Sequence, residues 1–82
     1  MEWINEAVQV EARLDPEGQV WPRWFVWRGE RYLVADIGRQ WFEEGKRWVL
    51  VRTPAEDTFE LTWNPVDGEW RLQRVWWRGR IV

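Results

Sequence analysis

The chain of 82 residues contains no cysteine, no histidine and no serine. Thiol, serine and imidazole nucleophiles or bases are therefore excluded, as are zinc sites built on sulfur or imidazole and any disulfide staple. Redox compartment leaves no trace in such a sequence. No glycine-rich phosphate loop occurs, since Gly29, Gly38 and Gly45 stand alone. Asp15, Asp36, Asp57 and Asp67 lack the spacing of a metal loop. The adjacent acids Glu43-Glu44 and Glu56-Asp57 fall in expected turns and read as solvated charge, not as a paired acid and base. No apolar run approaches the ~18 residues of a membrane span, and no basic-then-apolar leader opens the chain. These absences point to a non-enzyme without metal or cofactor, cytoplasmic and with no membrane partner.

What the chain has in abundance is tryptophan, ten of 82 residues. Each indole can bury ~150–250 Å². A domain this short has a marginal core, so large side chains take the place of disulfides. Lys46 is the one lysine; every other base is arginine, which stacks on aromatic rings and grips carboxylate or phosphate with two parallel bonds. The net charge of −2 implies no partner, but its distribution is uneven. Residues 1–20 and 53–70 are acidic, whereas 21–52 and 71–82 are basic. If the central and C-terminal basic segments lie together, they form a positive patch on a mildly acidic protein.

The pattern centres on Phe25-Val26-Trp27-Arg28-Gly29-Glu30-Arg31-Tyr32-Leu33-Val34. Two short aromatic and β-branched runs fold back on each other there, with Gly29 supplying the positive φ of a tight turn. Before it, residues 1–5 read as a loose end, and Glu6 to Leu14 alternate as a half-buried strand. Asp15-Pro16-Glu17-Gly18 is a turn, and Val20 to Trp27 a second strand whose Pro22 belongs at a strand start or an edge. Arg31 to Ile37 reads as a third strand. Gly38 to Gly45 breaks the pattern and is expected to be an irregular loop, with a single helical turn as the alternative. Arg47 to Thr53, Thr58 to Trp63 and Glu69 to Trp77 complete the set, separated by turns at Pro54 and at Asn64-Pro65-Val66-Asp67-Gly68. The expected fold is all-β: a single small domain over 1–82, about six antiparallel strands in a meander, closed into a strongly curled sheet or small barrel, with at most one short helix.

Pro22-x-x-Phe25-x-Trp27-Arg28-Gly29-x-Arg31-Tyr32-x-Val34, a Trp at 41, Phe59-Glu60-Leu61 and Asp67-Gly68-x-Trp70-x-Leu72 resemble an uncharacterised family of small bacterial domains. Its members stand alone or are appended to the C-terminus of Y-family (translesion) DNA polymerase-like proteins. The resemblance covers about residues 20 to 74. It implies a DNA-repair context and carries over no functional residue.

The inward faces are expected to hold Val8, Val10, Leu14, Phe25, Trp27, Tyr32, Val34, Trp48, Leu50, Phe59, Leu61, Trp63, Trp70 and Leu72, enough to fill the domain. Trp21, Trp24, Trp41, Trp76 and Trp77 are then surplus. Half-exposed, they present ~500 Å² of aromatic surface, as much as the largest patch on a typical monomer. Aromatic platforms beside cations bind single-stranded nucleic acid, bases on the rings and phosphates on the guanidiniums. The expected binding residues are Trp24, Arg28, Arg71, Arg74, Trp76, Trp77, Arg78 and Arg80, and the expected partner is a single-stranded or distorted nucleic acid or a polymerase-like protein. A protein-interaction module or homodimer is the alternative, since Trp and Arg are also the favoured hot spots of protein interfaces. The opposing consideration is a pI near 5.1, which lacks the basic footprint of an independent nucleic-acid binder.

Overall fold

The central hairpin forms as its sequence dictates. In the computed structural model, which describes residues 1–78, β2 (Val20–Trp27) and β3 (Glu30–Leu33) pair from Trp24↔Leu33 to Trp27↔Glu30. Arg28 and Gly29 turn the chain with φ of 52° and 77°, the doubly positive geometry that matches strand twist in a two-residue hairpin. The other strands are β1 (Glu2–Leu14), β4 (Asp36–Glu43), β5 (Lys46–Arg52), β6 (Thr58–Trp63) and β7 (Trp70–Trp76). Every pairing is antiparallel, and the sheet order is β3-β2-β1-β7-β6-β5-β4. There is no helix among the described residues.

Bulges curl this sheet into a half-barrel. The pairing register slips once each in β1/β7, β1/β2, β4/β5 and β6/β7. Each slip inserts one residue, which bends the strand and deepens its twist. β1 serves both wings: Glu2 to Val8 pair with β7, and Gln9 to Leu14 pair with β2. The curl brings the two edge strands round toward each other without pairing them. At the corner between them the Val34 amide donates to the Arg23 carbonyl, and the next amide, Ala35, donates to the Arg52 carbonyl. Farther along the seam the Gln40 side chain replaces a missing strand. Its amide donates to the Val20 carbonyl at 2.7 Å, and its oxygen accepts from the Val20 amide at 3.0 Å. Pro22 lies in the part of β2 that β3 does not cover, where a missing amide donor costs nothing.

Phe25, Phe59, Leu61, Leu72, Val20, Val49, Val51 and Val75 are almost wholly buried inside the curl, with Trp27 beside them. Phe59 meets Phe25 edge-on at 5.0 Å and Tyr32 at 5.2 Å, and Phe25 stacks on Tyr32 at 5.2 Å. The accessible surface of 5441 Å² is close to the roughly 5,300 Å² that a compact monomer of this mass exposes.

Several expectations are corrected. Residues 2–5 belong to β1, because a bulge at Asn5, φ 53°, shifts the alternation by one and hides the strand from a period-two reading. Residues 38–43 are strand rather than loop, again masked by a bulge between Ile37 and Gln40, which brings the expected count of about six strands to seven. The expected third strand ends at Leu33, and Val34 and Ala35 cross to the other edge. On β5 it is Val49 and Val51 that face inward, which puts Trp48 and Leu50 outside. Leu14, expected inside, is 52% exposed at the end of its strand.

Candidate functional site

The residues expected to bind do not gather into one cluster. Trp24 lies half-buried on the outer face of β2, with the Arg31 guanidinium 4.3 Å over its ring. Arg28, at the hairpin tip, grips Glu6 with two bonds of 3.1 and 2.6 Å. Arg71 bonds the side chain and carbonyl of Asn5 and the Glu69 carboxylate. Arg78 pairs with Glu56, and its amide donates to Asp57 Oδ1. Trp77 is packed against the core, stacked on Trp27 at 6.0 Å and edge-on to Phe59 at 5.6 Å, with its indole N–H on Glu2. Arg80 lies outside the described residues.

Arg74 and Trp76 do come together, with a partner that periodicity did not reveal. The guanidinium of Arg74 lies 4.7 Å from the Trp3 ring and 4.8 Å from the Trp76 ring. Below it, Nε and Nη2 donate to the two oxygens of Glu60 at 3.0 and 3.1 Å. Glu60 is 1% exposed and Arg74 30%. The sheet register explains the cluster: Leu50, Glu60, Arg74 and Trp3 are cross-strand neighbours on β5, β6, β7 and β1, all pointing out of the curl. Such neighbours are the unit of sheet stabilisation. Although it points outward, Glu60 is buried, because Arg74 and its two indoles roof it over. Trp3, at 66% exposed, is the open end of the cluster.

A parallel row runs Trp41, Trp48, Thr62 and Arg71 across β4 to β7. Trp41 and Trp48 stack at 5.9 Å with ring planes 13° apart, and Arg39 lies 4.8 Å from the Trp41 ring. These two clusters put Trp3, Trp76, Trp41 and Trp48 on the convex face, apart from Trp24 on β2. Trp3 and Trp48 were missed as surface residues, the first because its segment reads as a loose end and the second because β5 is apolar on both faces. The outward position of Trp48 was legible only from the cross-strand register.

Hydrogen bonds and burial shift four titratable groups. The Arg28 guanidinium, helped by the Trp27 indole N–H, holds Glu6 below the usual carboxylate range, and Glu6 in turn raises Arg28. The Trp21 indole N–H, joined by the Gln19 and Glu17 amides, does the same for Asp15. Burial, with the Glu30 carboxylate accepting its hydroxyl, pushes Tyr32 up. Among the described residues no three acids gather closely enough to hold a metal ion, and no helix is long and apolar enough to cross a membrane.

No family model, no curated protein and no solved structure matches this chain. Its chemistry has to be read from its own residues.

Proposed function

We propose that the chain is a non-catalytic interaction domain that docks a protein partner, or a second copy of itself, through the convex face of β1, β7, β6 and β5. The observation that carries this reading is the Trp3–Arg74–Trp76 stack over Glu60. Its cation is already cancelled by a buried carboxylate. What it offers a partner is flat aromatic area with a rigid guanidinium at the centre, the composition of a protein-interface hot spot. A phosphate arriving there would have to compete with Glu60 for both bonds. Arg28, Arg71 and Arg78 are likewise held by Glu6, Glu69 and Glu56. The test is sedimentation velocity from micromolar to near-millimolar protein, followed by photo-crosslinking from position 3 in cell extract. Self-association, or a discrete crosslinked protein, is expected, and Trp3→Glu should abolish it. A monomer at every concentration with no crosslinked protein would sink the proposal.

A second reading, accessory binding of single-stranded nucleic acid in a DNA-repair setting, has its own supporting observation. Arg31 over Trp24 and Arg39 over Trp41 form no ion pair among the described residues, so these two stacks keep a free positive charge beside an indole. Titrating tryptophan fluorescence with single-stranded DNA at two salt concentrations tests it. Quenching that weakens as salt rises supports the reading, because bound phosphates release counterions. No quenching at low salt removes it.

A further inference from the structure

The seam where the curled sheet fails to close holds a cavity of about 680 Å³ on the outer surface. That is within the range of ~300–1,000 Å³ typical of small-ligand sites. Its Arg13 and the Trp3 of the Trp3–Arg74–Trp76 cluster lie at opposite ends of β1, and nothing in the docking reading uses it. Pro22, buried, and Val34, half-buried, give it an apolar base. Three kinds of polar or aromatic group surround that base.

The first is the indole of Trp21, held in place from behind. Its N–H donates to Asp15 Oδ2 at 3.1 Å, and Asp15 Oδ1 is itself fixed by the Glu17 and Gln19 amides at 3.0 and 2.9 Å. The ring is therefore a pre-set platform, not a mobile side chain. The second is a pair of guanidiniums. Arg13 is the cross-strand neighbour of Trp21, and Arg23 is the residue that the β1/β2 bulge inserts. Neither forms an ion pair among the described residues, although Arg13 is near enough to favour the charged form of Asp15. Bulges commonly re-aim a side chain in this way. The third is Asp36, on the β4 side of the cavity. Its Oδ2 takes one long bond of 3.4 Å from Arg52, which leaves Oδ1 as an acceptor.

We infer that this cavity is a nucleotide site: a flat base stacks on Trp21, its ring N–H donors face Asp36, and its phosphate lies between Arg13 and Arg23. A purely anionic ligand would leave the indole unused and meet Asp36 with like charge. A purely aromatic one would leave two guanidiniums unpaired. A base bearing donors on one edge and a phosphate on its sugar satisfies all three groups, and guanine, with adjacent ring and exocyclic N–H groups, suits a carboxylate best. The nucleotide can be free or the terminal residue of a strand; the chemistry is the same.

The probe is guanosine 5′-monophosphate, followed by amide and indole signals of the ¹⁵N-labelled full chain in NMR. Saturable shifts are expected at Trp21, Arg23, Val34 and Asp36. Guanosine alone and inorganic phosphate alone should each bind at least about tenfold more weakly, the loss expected on removal of a charge-assisted bond or a stacking partner. Arg23→Ala should weaken the nucleotide about tenfold and leave guanosine unchanged. Asp36→Asn should weaken guanosine monophosphate more than adenosine monophosphate. Both altered side chains are exposed, and the dispersion of the same spectra checks the fold. A 5′-phosphorylated oligonucleotide ending in guanosine that binds at least as well as the mononucleotide identifies a strand end as the source; weaker binding identifies the free nucleotide. The inference is overturned if millimolar nucleotide shifts nothing, if the shifts map to Trp3 and Trp76, or if an acidic peptide binds as well as the nucleotide. None of these outcomes bears on the sedimentation and crosslinking test of the convex face.

Discussion

Glu60 is a carboxylate on a strand buried on both faces, and its tolerability depends on Arg74. Removing that partner strands a desolvated charge. Because Arg74 keeps 30% of its surface in solvent, Arg74→Ala should cost about 2–3 kcal/mol, short of the ~3–5 kcal/mol of a fully buried pair. Urea denaturation measures this, and an unchanged midpoint would mean that water reaches Glu60 freely. Phe25, wholly buried at the centre of the aromatic cluster, should cost about 3–5 kcal/mol on replacement by alanine, through lost burial and the cavity left behind. Glu6 and Asp15 contribute to the acid sensitivity of the chain. Both carboxyls are depressed in the folded state, so their contribution is complete above the ordinary carboxylate range and is lost as pH falls through it and below. The urea midpoint should therefore drop between neutrality and about pH 3, and Glu6→Gln should flatten that slope. Tyr32 has the opposite sign: raised in the folded state, it supports the fold below the ordinary phenol range and ceases to do so as alkali ionises it.

At the scale of elements, the hairpin of β2 and β3, the turn at Asp67-Gly68 and the strands β5 to β7 could be read from the sequence. β5 and β6 pair in unbroken register; β2 and β7 carry bulges of their own, at Arg23 and Gln73, but turn residues with a positive φ mark where they begin. β4 and the start of β1 could not, because each contains a bulge, and one inserted residue inverts every side chain beyond it. The same bulges curl the sheet, so the features that defeat period-two reading are those that make the half-barrel. The convex-face site was half legible. Arg74 and Trp76 stand out by composition, but Trp3 and Glu60 join them only through cross-strand register. Gln40 was invisible for a related reason: a glutamine acting as a length of strand leaves no periodic signature. Gln40→Ala should leave the amide and carbonyl of Val20 without partners, at a cost of about 1–3 kcal/mol. Hydrogen exchange at the Val20 amide should quicken by more than at Phe25; equal protection in both proteins would show that the clasp is dispensable.

For the whole molecule, part of the uneven charge along the sequence resolves into pairing across the sheet. Arg28 with Glu6, Arg74 with Glu60, and Arg78 with Glu56 each join a basic segment to an acidic one. Topology thus cancels part of the segregation along the linear chain, while Arg13, Arg23, Arg31 and Arg39 form no ion pair among the described residues. Most of these pairs are open to solvent, so added salt should lower stability slightly and Arg74→Ala should remove little of that dependence. A stability that rises with salt would point instead to self-repulsion.

The double role of β1 also sets a timetable. β1 to β3 and β4 to β7 are each runs of neighbouring hairpins, whose loops close in microseconds. The seam of β1 with β7 joins Glu2 to Val75, nearly the whole chain apart, and repays its closure entropy only once both wings exist. Refolding should thus be governed by that last docking, on the millisecond-to-second scale of non-local β topologies. The bulge at Asn5, lying in the seam itself, is then the place where a substitution slows folding more than it speeds unfolding.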